Sequence, residues 1–438
     1  MADCCPANKG SSDNLTPVQC CTHHDEKSNN SMLNDKEPSV ANGFPAQGEE
    51  EETELKPSQS PTDNGQSINR SAAHSDSDQS EHEEAEHFEM IVNAFRYYRA
   101  HAMRKVKKDY LSFSRVPDEH KALLHPHFPH HLTEVKKRIV ANEMFLRTVL
   151  AGIGQIFENK NHESDVANSQ PRKASEFNME KLQSTIKQLA RDWSAEGELE
   201  RSQCYNPVLE EIEKRFPASE VDRSKMRICV PGAGLGRLAW EFAARGFECQ
   251  GNEFSLFMLF CSNFILNRCK EANVVTVYPW VHQTCNNWTY EDQLRGVPIP
   301  DVNPAGLPKM DQSNDNLFSM AAGDFLDVYG TQEAEWDCIA TVFFLDTARN
   351  VISYIETIKR MLKPGGIWVN FGPLLYHFAD MPNLDSVELP YDRIRQIIEN
   401  MGFHFEKEQR NVSATYTQNP RSMLQYQYNC VFFVCRKL

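Results

Sequence analysis

Three glycines spaced two apart, Gly232, Gly234 and Gly236, close the stretch M-R-I-C-V-P-G-A-G-L-G. Glycine turns tightly and carries no Cβ to hold a ligand off the backbone. Between a short apolar strand and a helix-permissive segment, such a run has the form of a cofactor seat. Glu253 lies 21 residues after Gly232. At that interval a carboxylate ends the second strand and accepts hydrogen bonds from ribose hydroxyls. Two chemistries use this pair: hydride transfer from a dinucleotide, and methyl transfer from S-adenosylmethionine. A dinucleotide sets its pyrophosphate on a helix start through G-x-G-x-x-G. Here the third glycine comes one residue early and Arg237 follows it. A sulfonium donor needs no phosphate seat, only a close approach of the backbone. Asp324-Phe325 suits the remaining contact, with a carboxylate for the adenine amine and an aromatic for the ring face.

These residues are placed by an alternation of strand and helix. Phe247–Gly251, Trp336–Leu345, Ile367–Phe371 and Val431–Cys435 read as strands, and Leu256–Lys270, Val351–Leu362 and Asp392–Met401 as helices. The Trp336 run is apolar almost throughout, as expected of a strand covered on both faces. Together they predict an α/β fold, a doubly wound and mostly parallel sheet, over residues 217–438. The polar, proline-bearing segment 278–316 is an insertion without clear period, and a loop of that length is often functional. Residues 86–216 read as an N-terminal helical region. Its first helix starts at the stripe Phe88, Ile91, Val92, Phe95, Tyr98, and 159–175 is a polar linker before the next. His125–His131 carries four histidines but no Cys or carboxylate, and its two prolines favour a plain connection over a metal site.

Residues 1–85 hold a single aromatic, Phe44, and read as a disordered acidic tail. Cys4-Cys5, Cys20-Cys21 and His23-His24 there lack the spacing of a zinc site, so no metal is expected. The first 89 residues carry 19 acidic against 5 basic side chains, which accounts for nearly all of the net charge of −15. The remaining body is close to neutral and offers no electrostatic reason to bind nucleic acid. No apolar run is long enough to span a membrane. Thirteen cysteines without a secretion signal predict reduced thiols in the cytosol or nucleus.

The segment L-K-P-G-G-I-W-V, Leu362–Val369, at the end of a helix and the start of a strand, resembles class I methyltransferases. The likeness narrows across several blocks. R-D-W-S-A-E-G-E-x-E-R-x-x-C-Y (Arg191–Tyr205), V-P-G-A-G-L-G-R-L-A-W-E (Val230–Glu241), Q-G-N-E-F-S (Gln250–Ser255), F-F-L-D-T-A (Phe343–Ala348), L-K-P-G-G-I-W-V-N-F-G-P-L-L-Y-H-F (Leu362–Phe378) and the tail S-A-T-Y-T resemble the carnosine N-methyltransferase family. It covers roughly Phe88 to the C-terminus.

The resemblance implies transfer of the S-adenosylmethionine methyl to a ring nitrogen of the histidine in carnosine, giving anserine. It implies a small dipeptide as partner and makes a homodimer through the helical region an expectation. A neutral imidazole is already a nucleophile, so the protein must align it and hold the proton on its other nitrogen. Asp346 and His377, both after central strands, belong by resemblance to that pocket as catalytic candidates, with Tyr416, Tyr426 and Tyr428 as further substrate contacts. Asp346 has an alternative reading as an N-cap, and His377 as a core histidine. Gln188 and Arg191, three apart on one helix face, are implied to reach the carboxylate of the cofactor. Methylation of histidine in other peptides or proteins stays open as an alternative. The D/N-P-P-Y/F box of nucleic-acid methyltransferases is absent where F-F-L-D-T-A stands.

Overall fold

The computed structural model describes residues 72–153, 171–308, 317–381 and 383–438. The Cys and His pairs of the N-terminal segment, residues 159–170 of the linker and 309–316 of the insertion lie outside the described residues. Chain order runs α1 (Ala72–Arg115), α2 (Asp118–Leu124), α3 (His127–Leu150), α4 (Glu176–Trp193), α5 (Glu198–Cys204), α6 (Asn206–Arg215), β1 (Arg227–Pro231), α7 (Arg237–Ala244), β2 (Glu248–Glu253) and α8 (Leu256–Asn263). It continues with β3 (Val275–Val277), α9 (Tyr290–Leu294), β4 (Val297–Ile299), β5 (Phe318–Ala322), α10 (Phe325–Tyr329), β6 (Trp336–Val342), α11 (Val351–Met361), β7 (Leu362–Gly372), α12 (Tyr391–Asn400), β8 (Phe403–Ala414) and β9 (Tyr428–Lys437).

Seven strands form one sheet in the order β5-β2-β1-β6-β7-β9-β8. Every pair from β5 to β7 is parallel, and β9 runs antiparallel between β7 and β8. The chain moves outward from β1 to β5 on one side and then crosses to β6, so the order reverses between β1 and β6. Ligands of such sheets collect at that switch, beyond the carboxyl ends of the strands.

Period-two alternation explains the double winding. Ile228, Val230, Cys338, Ala340, Ile367, Val369, Phe432 and Val434 face α6 and α7. Cys229, Ile339, Trp368, Phe433 and Cys435 face α10, α11 and α12. The N-terminal helices have no separate core. Phe95, Ile139, Leu146, Leu182 and Leu189 share one apolar cluster with Phe257, Phe260 and Ile265 of the α8 region and with the antiparallel β3–β4 pair.

Three expectations are corrected. The first helix starts at Ala72, well before the stripe, because the Ala- and Glu-containing segment ahead of it has no helix breaker and propagation from a packed turn is cheap. His125–His131 is not a loop: α3 begins at His127, and the buried His131 ring stacks on Tyr290 at 3.9 Å. The 278–316 insertion is partly ordered by long-range polar contacts that no local period records. Asp301 in it accepts hydrogen bonds from Arg201 Nη2 at 2.7 Å and Arg237 Nη1 at 2.5 Å, while its own N–H donates to the Trp193 carbonyl.

Both guanidiniums are largely buried, and removing the partner of a buried charge is costly. Asp301→Ala is therefore expected to destabilise the protein by about 3 kcal/mol. Urea unfolding checks this, and a change below about 1 kcal/mol would mean solvent replaces the carboxylate.

Candidate active site

The predicted residues converge on the carboxyl edge of the sheet. Helix α4 is the lid on that edge, and its sequence sets its orientation. Ser175 caps it by accepting from the Asn178 N–H, and Met179, Leu182, Ile186, Leu189 and Trp193 bury one face. The opposite stripe, Lys181, Ser184, Gln188 and Arg191, turns to the sheet edge at helical spacing. Trp193 Nε1 donates to the Leu235 carbonyl at 3.0 Å, and Arg237 Nη1 donates to the Asp192 carbonyl at 2.8 Å. These two bonds tie the helix to the glycine turn.

Within the turn the three glycines have different reasons to be there. A Cβ on Gly232 would lie 2.5 Å from the Phe344 ring, and one on Gly236 would meet Leu266 at 3.0 Å. Those two are demanded by packing. Gly234 (φ +56°) is different: a Cβ there would meet only Gln188 Oε1, at 3.9 Å. It is the point where backbone is open to a ligand. The Gly234 N–H donates to Glu253 Oε2 at 2.7 Å, and the Phe254 and Ser255 N–H groups donate to Oε1. Burial pushes the Glu253 carboxyl up, and these three donors hold it down. Oε1 takes two of these donors and Oε2 one, so Oε2 retains a lone pair for a ribose hydroxyl.

Arg191 is buried, with Nη1 donating to Asp192 Oδ1 at 2.6 Å and to the Tyr205 hydroxyl at 2.9 Å, and Nη2 to Cys204 Sγ at 3.2 Å. It does not pair with Gln188. Its Nε is buried and makes no hydrogen bond, but the Glu200 carboxylate stands 3.8 Å from it, so two carboxylates, Asp192 and Glu200, already face this guanidinium. An open glycine facing the Gln188 amide and a carboxylate with a free lone pair fit an amino-acid-bearing nucleoside such as S-adenosylmethionine.

The Phe325 ring is 2% exposed and packs between Phe344 at 5.3 Å and Tyr354 at 5.1 Å. Asp324 caps α10 by accepting from the Leu326 N–H at 2.8 Å. An aromatic in the first turn of a helix is drawn into the core beneath it, which the dipeptide alone did not reveal.

Across the switch point, Asp346 sits in a short turn after β6 and is 3% exposed. It is not the cap of α11, since Asn350 fills that role by accepting from the Ile352 N–H. Asp346 Oδ2 instead accepts from the Leu375 N–H at 2.9 Å, and its carbonyl accepts from the His377 N–H at 3.0 Å. The β6 and β7 ends are thereby stitched together. Burial raises the Asp346 pKa to about 7. The His377 residue is open to solvent, yet the recess around its ring, with Lys181 of α4, pushes its pKa down to about 4, so the ring is neutral at pH 7.

Tyr416 lies against Phe343 at 4.9 Å and under the Arg191 guanidinium at 4.6 Å. Its loop is latched by Glu200, which accepts from the Thr417 and Gln418 N–H groups, and by Gln203, which accepts from that of Thr415. Tyr428 meets Phe343 edge-on at 5.9 Å, and Tyr426 stands 56% exposed at the rim. Sequence reasoning gave no role of their own to Asp192, Glu200, Tyr205 and Phe343. The first three lie inside the Arg191–Tyr205 block, whose density of paired charges was the available signal. Among the described residues no group of three or more His, Cys, Asp or Glu could hold a metal.

A doubly wound sheet in this order, with an open glycine after β1, a carboxylate after β2 and an acid at the switch, defines a class I S-adenosylmethionine-dependent methyltransferase. The model of the family described as carnosine N-methyltransferase matches residues 168–438. The chain is 51% identical over 354 residues to a carnosine N-methyltransferase of Mus musculus, covering 81% of this chain and 86% of that one. It is 42% identical to one of Drosophila melanogaster (82% and 81% covered) and 40% identical to one of Schizosaccharomyces pombe (81% and 96%). The chain belongs to the carnosine N-methyltransferase family.

Proposed function

We propose that this enzyme methylates a ring nitrogen of the histidine in carnosine and releases anserine and S-adenosylhomocysteine, with the acceptor held by Asp346, His377, Tyr416, Tyr426 and Tyr428. The observation that carries the reading is the buried Asp346 carboxylate, braced by the Leu375 N–H at the switch point and within electrostatic reach of Tyr428, whose ring packs on Phe343. Bound at Gly234, Glu253, Gln188 and Arg191, S-adenosylmethionine supplies a methyl carbon on a positively charged sulfur. Asp346 in its ionised form accepts the N–H of one imidazole nitrogen, leaving the lone pair of the other directed at that carbon. As the new N–C bond forms and the C–S bond breaks, positive charge moves onto the imidazole ring. Asp346 then holds the N–H of the imidazolium and receives its proton. His377, neutral at pH 7, adds a donor or acceptor to the polar part of the dipeptide without competing charge.

Transfer of labelled methyl to carnosine, free histidine and a histidine-bearing peptide, followed by identification of the methylated nitrogen, tests this. Carnosine is expected to be the preferred acceptor, and methylation confined to the peptide would favour the protein-histidine alternative. The nine free thiols among the described residues, all buried except Cys285, support placement in the cytosol or nucleus. Exposed Tyr110, Leu111, Leu123 and Met144 on α1–α3 support a homodimer through the helical region. Sedimentation at the mass of one chain would refute the dimer.

A further inference from the structure

Phe343 is the residue at the carboxyl end of β6 whose backbone departs most from the strand it follows. Its φ is +52°, a region that bulky L-residues rarely enter and that concentrates at ligand sites. Two neighbours hold it there. The Phe343 N–H donates to the Phe371 carbonyl at 2.9 Å. Opposite, Gly372 leaves room, since a Cβ at that position would lie 3.1 Å from the Phe343 nitrogen and 3.2 Å from its Cα.

The left-handed turn separates two consecutive aromatic rings. Phe344 drops into the buried layer beside Tyr354, at 4.8 Å, and against Gly232. Phe343 swings the other way and stays half-buried between Tyr416 at 4.9 Å and Tyr428 at 5.9 Å. It thus packs on two candidate acceptor contacts, Tyr416 and Tyr428, within 6.0 Å of the Arg191 guanidinium. The Arg191 guanidinium, the anchor for the cofactor's carboxylate, lies 6.0 Å from the Phe343 ring and 4.6 Å from that of Tyr416. Asp346, the acid for the acceptor, is three residues further along the chain. The methyl-bearing sulfur has to sit between those two anchors.

We propose that the Phe343 ring, held in place by Tyr416, forms the aromatic wall that receives the cofactor's positive sulfur and so lets the enzyme distinguish the charged donor from the neutral product. The proposal rests on the methyltransferase reading above. A ring face attracts a cation through its quadrupole and holds a neutral thioether more weakly. Before transfer the positive charge is on sulfur, and afterwards it is on the acceptor ring. The wall therefore holds the donor more tightly than S-adenosylhomocysteine once the methyl has left.

Calorimetric titration of the full chain with S-adenosylmethionine and with S-adenosylhomocysteine tests this for the wild type, Phe343→Leu and Phe343→Tyr. In Phe343→Leu the donor Kd is expected to rise by about five- to tenfold and the product Kd by less than about twofold. Phe343→Tyr should keep the wild-type ratio. Stepwise fluorination of the ring at position 343 preserves its shape, and the donor-to-product preference should fall with each fluorine even if the leucine variant folds poorly. Equal losses for both ligands, or no change across the fluorinated series, would overturn the proposal by leaving Phe343 as packing alone. A wild-type chain that binds neither ligand would overturn the methyltransferase reading itself, and the wall with it.

Discussion

Asp346→Asn is expected to lower kcat with carnosine by about 10²- to 10⁴-fold while S-adenosylmethionine affinity stays within about threefold. The amide oxygen can still accept the Leu375 N–H, so the brace between the β6 and β7 ends survives. What disappears is the ionised oxygen that holds an imidazole N–H and then its proton. The pH dependence separates this role from a structural one. Burial raises the wild-type carboxyl from 3.8 to about 7, so kcat/KM should climb with pH through about 7 as the group ionises. The residual activity of the variant should lack that limb beyond the titration of carnosine itself.

Stability should move the opposite way. A carboxyl whose pKa is raised by folding favours the folded state below its unfolded value, and that favour is lost as pH rises through about 7. At pH 8 the wild type carries the cost of a buried charge and Asp346→Asn does not. The variant is therefore expected to be at least as stable in denaturant at pH 8. Near-wild-type turnover, or loss of activity explained by unfolding, would remove Asp346 from the reaction.

Gly234→Val is expected to weaken S-adenosylmethionine binding by at least about 100-fold, through two separable effects. The backbone at +56° is strained for any residue with a Cβ, by about 1–2 kcal/mol, and more for a β-branched one. Relaxing that strain would swing the Gly234 N–H away from Glu253 Oε2 and disturb the ribose acceptor. The branched side chain also enters the space facing Gln188, where the structure has nothing else. Gly246 supplies the control. It too has a positive φ (+89°) with only Arg223 Cβ near its missing side chain, and it lies between α7 and β2, at the opposite end of the strands. Gly246→Ala should cost stability and leave cofactor affinity unchanged. If calorimetry shows Gly234→Val binding as the wild type does, Gly234 is only a turn residue.

The outline of this fold was legible because it is written in short-range periods. The apolar run before Gly232, the run Trp336–Leu345 and the stripe Ile352, Ile355, Ile358 place strands and helices without reference to distant residues. The same locality did not show that the second run leaves its strand after Val342, or that the Phe325 ring packs into the core. It also hid Glu200, which acts on backbone N–H groups more than two hundred residues away.

By itself, then, the sequence determined the alternation that builds a doubly wound sheet, the glycine turn with its carboxylate, and membership of a family through long matching blocks. Each is a property of neighbouring residues or of residues compared position by position. Only the tertiary structure decided that Gly234 alone among the three glycines opens toward a ligand, and that Asp346 braces β7 instead of capping α11. It also decided that Arg191 is held by Asp192, Tyr205 and Cys204, and that Phe343 turns its ring against Tyr416 and Tyr428. Those outcomes depend on which side chains meet across the β1–β6 switch and beneath α4. Such meetings are set by sheet order, burial and the competition for a few hydrogen-bond donors, none of which is encoded in local spacing.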